Sequence, residues 1–109
     1  MQNIAELKSV IQNAADEEGF PVSFIPIKNK NDPDLYGDES EDVYLPLFIS
    51  KPPVSMFLEI SKSTNESADY HYEIVSDGNI IDEFYSEFNV GDAEPKICEI
   101  VHDLKDHMQ

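Results

Sequence analysis

The chain has 109 residues and a formal net charge of −16, from 23 Asp and Glu against seven Lys and no Arg. That balance argues against direct contact with nucleic acid or anionic lipid, and the lack of Arg removes the side chain best suited to a bidentate grip on phosphate. At 40% apolar, with six Phe and five Tyr, the sequence can still bury a core, so one folded domain is expected over 1–109.

Ile4, Leu7, Val10, Ile11 and Ala14 recur at helical spacing and predict a helix over about 3–18, with Asn3 and Glu6 as a capping pair and Gly19 as the stop. The opening MQNIAELKSV has neither a basic nor an apolar region of the signal-peptide kind, so no secretion signal is expected. The segment FPVSFIPIK (20–28) reads as extended, with Val22 and Phe24 on one face and Ile25 and Ile27 on the other. Pro21 and Pro26 each remove a ladder donor, which predicts an edge or irregular strand.

The stretch NDPDLYGDESEDVY (31–44) then holds six carboxylates and no base, and a mobile acidic loop is expected over 29–42. VYLPLFIS (43–50) predicts a strand in which Pro46 marks an edge or a bulge, and Lys51-Pro52-Pro53 a turn. SMFLEIS (55–61) predicts a strand with Met56, Leu58 and Ile60 on one face and Phe57 on the other, followed by the polar loop STNES (63–67). DYHYEIVS (69–76) alternates Tyr70, Tyr72 and Ile74 against His71, Glu73 and Val75. Asp77-Gly78 is the strongest hairpin signal in the chain.

The next segment, NIIDEFYSEF (79–88), is ambiguous, because Ile80, Ile81, Phe84, Tyr85 and Phe88 would line one face of a helix. The hairpin before it favours a strand. Asp92 as an N-cap, Glu94 and Pro95 in a first turn, and Ile97, Val101, Leu104 and Met108 at helical spacing predict a second helix over about 93–107. Helix, four or five antiparallel strands, helix is the order of an α+β two-layer sandwich, α-β-β-β-β-β-α, with both helices on one face of the sheet.

Motifs for chemistry are sparse. The acidic stretch can be laid over a calcium loop of EF-hand type, with Asp32, Asp34 and Gly37 in place. Tyr36 and Val43 then fall where a side-chain ligand and the bidentate Glu belong, and the flanks read as strands, so no metal site is assigned. Among His71, His102 and His107, nothing near His71 in sequence completes a metal site, and His102 with Asp106 has the spacing of a surface ion pair. Cys98 flanks the apolar stripe of the second helix and is expected as a buried, inert thiol. A single cysteine excludes an internal disulfide and fits a cytoplasmic location, and Asn65-Glu66-Ser67 is a chance glycosylation match without a secretion signal. The four glycines are scattered, no serine elbow occurs, and no cofactor is implied, so catalysis is not expected.

What remains is the charge. Twelve acids lie between residues 66 and 106 against Lys96 and Lys105, among them Glu73, Asp77, Asp82, Glu83 and Glu87 in one predicted hairpin. The expectation is a non-enzymatic acidic binding protein, an inhibitor or nucleic-acid mimic for a basic surface of a DNA- or RNA-handling protein such as a defence nuclease. Small inhibitors encoded by phages and other mobile elements offer an analogy of size and charge only. Asp34, Asp38, Glu39, Glu41 and Asp42 are the expected contact residues, with Tyr36 and Tyr44 as aromatic anchors. An immunity or antitoxin protein against a basic toxin, and a housekeeping or virion-associated domain acidic only for solubility, are the alternatives. Direct nucleic-acid and membrane partners are not expected.

Overall fold

In a computed structural model the described residues are 6–25 and 44–107. Helix α1 (Leu7–Glu18) leads into β1 (Val22–Phe24). Strands β2 (Tyr44–Lys51), β3 (Val54–Lys62), β4 (Ser67–Ser76) and β5 (Asn79–Asn89) follow, and a single 3-10 turn (Val90–Asp92) opens into α2 (Ala93–Asp106). All strand pairs are antiparallel and the spatial order is β1-β2-β3-β4-β5, a meander of nearest neighbours. The acidic stretch, apart from Tyr44, lies outside the described residues.

The two helices pack on each other and on one face of the sheet. The period-2 alternation puts Leu45, Leu47, Ile49, Met56, Leu58, Ile60 and Ile74 on that inner face, each at most 1% exposed. Ile11 and Ala15 from α1 and Ile97 and Leu104 from α2 meet them from the other layer, all fully buried. No buried polar or charged residue interrupts this core among the described residues.

Local chemistry explains where elements begin and end. Gly19 takes φ +75° beyond α1, so that its N–H reaches Asp16 O (3.1 Å) and the Phe20 N–H reaches Ala15 O (2.9 Å), a Schellman ending. Asp77 and Gly78 both have positive φ, +52° and +82°, the geometry of a type I′ turn, and Ser76 pairs with Asn79 directly across it. The turn thereby sets 79–89 as a strand. A bulge at Ile81 then shifts the phase of β5 against β4, since Val75 pairs with Ile80 and Ile74 with Asp82.

Three expectations need correction. Pro46 lies on β2, an inner strand, and the β2–β3 register runs unbroken from Tyr44 to Lys51. It is tolerated because its backbone side faces β1, where pairing ends at Leu47↔Phe24 and its carbonyl accepts from the Ile25 N–H (3.0 Å). Asp92 occupies the N-cap position of α2, but its side chain makes no capping bond, the preceding 3-10 turn setting the entry. Cys98 is exposed, because the buried stripe of α2 runs through Ile97, Ile100, Val101 and Leu104 and turns Cys98 off it.

Candidate functional site

Among the described residues no helix covers the outer face of the sheet, and the registers place its side chains in rows across the strands. One row runs Phe48, Phe57, Glu73, Glu83, the next Pro46, Glu59, His71, Tyr85, and a third Tyr44, Ser61, Asp69, Glu87. Strands are about 4.8 Å apart and same-face residues about 6.8 Å apart along each. Five carboxylates, Glu59, Asp69, Glu73, Glu83 and Glu87, therefore share one surface, and no lysine stands on the outer-face positions of β2–β5.

Two of these contacts oppose folding. Glu73 lies directly across from Glu83, and Asp69 from Glu87, where like charges repel. His71 is the one basic side chain among them. Its Nε2 is 2.9 Å from Glu83 Oε2, which makes it a donor there, and Glu59 and Glu73 carboxylates approach its ring nitrogens at 4.0 Å. The imidazole also stacks on Tyr85, with centroids 4.2 Å apart and planes 15° from parallel. The Tyr85 hydroxyl donates to Glu83 (3.3 Å) and its pKa is raised, first by the Glu83 charge. Beside this acidic half, Phe48 and Phe57 form an apolar corner, centroids 5.0 Å apart, with Phe48 45% exposed.

A second cluster sits on the inner face, where β5 overhangs α2. His107 holds the Asp103 carbonyl through Nδ1 (2.8 Å) and Asp82 Oδ2 through Nε2 (3.3 Å). Tyr72 donates to the Asp103 carboxylate. Burial and this bond keep the Tyr72 hydroxyl protonated far above the ordinary tyrosine range. His71, Glu73 and Glu83 in one place, and Asp82, Asp103 and His107 in the other, each bring three atoms of metal-ligand type within 4.8 Å of one another. A depression of about 590 Å³ beside Phe20 and Lys105 has its charged groups engaged: Lys105 with Glu18 at 3.0 Å, and Lys51 over the Phe20 ring.

Of the expected contact residues, Tyr44 is described, half-buried on the outer face, while Asp34, Tyr36, Asp38, Glu39, Glu41 and Asp42 lie outside the described residues. The expected His102–Asp106 pair forms at 3.6 Å. The surroundings of His71 were not legible along the chain, since Glu59 and Glu83 arrive from neighbouring strands. The acids expected together on the last hairpin divide: Glu73, Glu83 and Glu87 join the outer face, and Asp82 joins the inner cluster. No helix among the described residues is long and apolar enough to cross a membrane. No protein-family model, curated protein or solved structure matches the chain.

Proposed function

We propose that the protein works by binding rather than catalysis, and that the outer face of β3–β5 takes a basic surface of another protein, one that handles nucleic acid. The observation that carries this is two directly opposed acid pairs on a face whose described strand positions hold no lysine. Repulsion of that kind lowers the stability of the free chain, and a cationic partner relieves it. A surface made acidic only for solubility gains nothing from direct opposition, since spacing the same charges apart serves as well. Rows of carboxylates beside exposed aromatics also suit Lys and Arg, which pair through the charge and lie on the rings through the stem or guanidinium. Tyr44, one of the expected aromatic anchors, stands on this same face.

The test is affinity capture of basic proteins from a lysate of the source organism, followed by purification of the retained partner. Binding should weaken steeply with salt and yield to added DNA. Changing Asp69→Asn, Glu73→Gln, Glu83→Gln and Glu87→Gln together should weaken it by about a hundredfold or more. A partner held equally well by that variant excludes the outer face as the site.

A further inference from the structure

Strand β5 closes one edge of the sheet and is open over nearly its whole length, with Phe88 its single buried residue. The other edge, β1, is three residues long. Long edges are normally shielded by Lys, Pro, bulges, inward charges or a covering element; β5 has a bulge at Ile81 and the inward Asp82 near its start, but Phe84–Asn89 contains no Lys or Pro and follows an unbroken register. Its helix-facing side is left partly exposed by the described residues as well. Phe84 is 47% exposed and, with Tyr70, Tyr72 and Ile100, floors a groove between β5 and α2. Asp82, Asp103 and Glu99 rim the groove, with Lys96 held by Glu99 at 3.0 Å.

The direction of the backbone groups follows from one bond. The Val90 N–H donates to Glu66 O (2.8 Å), and the β4–β5 register is unbroken from Asp82 to Asn89. By alternation, residues 84, 86 and 88 turn their N–H and C=O to β4, and Glu83, Tyr85 and Glu87 turn theirs to the open edge. The Glu83 N–H is met by Asp82 Oδ1 at 2.9 Å. The N–H groups of Tyr85 and Glu87, and the carbonyls of all three residues, face outward.

We infer that β5 is a docking edge, and that an extended segment of a basic partner adds there as a further strand. This rests on the basic-partner reading above and specifies how that partner is held. Side chains of an added strand lie opposite Glu83, Tyr85 and Glu87 on the outer face, so Lys or Arg four residues apart meets Glu83 and Glu87, and an apolar residue between them lies on Tyr85, 69% exposed. The neighbour on the inner face covers Phe84. A second copy of β5 is the wrong occupant, since it sets Glu83 and Glu87 against like charges on molecules that each carry −16.

The probe is the peptide acetyl-GTKTVVKTG-amide, titrated at low salt into the isotope-labelled full chain, alongside the same peptide N-methylated on the backbone nitrogens that would face Tyr85 and Glu83. The parent should protect the Tyr85 and Glu87 amides from solvent exchange, and the methylated peptide should bind roughly tenfold weaker or worse through loss of backbone hydrogen bonds. Tyr85→Pro removes an outward N–H without touching the β4 ladder and should bind roughly tenfold weaker than Tyr85→Ala, which loses the ring contact alone. Equal binding of both peptides, with shifts centred on Glu59 and Glu73, overturns strand addition and leaves the basic-partner reading standing. Shifts with neither peptide overturn both. A dimer of the free chain in sedimentation, dissolved by Tyr85→Pro, assigns the edge to a second copy and overturns the inference.

Discussion

Tyr72 links the core to the charged rim. Its ring is buried among inner-face residues, while its hydroxyl donates to the carboxylate of Asp103 on α2. A hydroxyl whose folded pKa lies above the unfolded value of 10.0 holds its proton better in the native chain, so the stability it contributes is whole below pH 10 and declines as pH rises past it. Tyr72→Phe should therefore cost about 1–3 kcal/mol in urea unfolding at pH 7, by leaving Asp103 without its donor, and should flatten the loss of stability above pH 10. An absorbance titration of tyrosinate should show one residue fewer ionising with unfolding in the variant than in the native chain. On the outer face the sign reverses. Glu73→Gln and Asp69→Asn each remove one member of an opposed acid pair and should each stabilise the chain by roughly 0.2–1 kcal/mol. A loss of stability in both would mean that the pairs are compensated by contacts not evident in the register.

The elements themselves were largely legible in the sequence, and the reasons are local. Alternation in 55–61 and 69–76 fixed which residues face the helices, and Met56, Leu58, Tyr70 and Tyr72 all do. The helix-or-strand ambiguity of 79–88 was resolved by two residues, Asp77 and Gly78, whose positive φ values commit the chain to a tight reversal. Gly78→Ala should therefore destabilise the protein by about 1 kcal/mol and loosen β5 first, seen as faster hydrogen exchange across Asn79–Asn89. Leu104→Ala on α2 acts through packing instead and should cost about 2–5 kcal/mol, unfolding both layers together. What the sequence hid depends on pairing at long range. The convergence of Glu59, Glu73 and Glu83 on His71 follows from the registers of three strands, which a one-residue slip would abolish. Pro46 misled because its missing donor matters only if a neighbour is there to receive it, and β1 ends just before that point.

Over the whole molecule, charge is both the strongest signal in the sequence and the least specific. A net charge of −16 acts at a distance and draws in cationic surfaces whichever face they meet. The fold adds direction to it: the helix layer carries acids such as Asp16, Glu17, Glu94 and Asp106, dispersed along two exposed helix faces, whereas the sheet presents its carboxylates in rows with aromatics between them. Two variants with equal loss of charge separate a field from a site. One neutralises Asp69, Glu73, Glu83 and Glu87, the other Asp16, Glu17, Glu94 and Asp106, and the dissociation constant of the captured basic partner is measured for both at one salt concentration. A contact surface on the sheet predicts a loss of about a hundredfold or more for the first and only a few-fold change for the second. Equal losses from the two would contradict it, and would leave the acidity as a general field without a defined face.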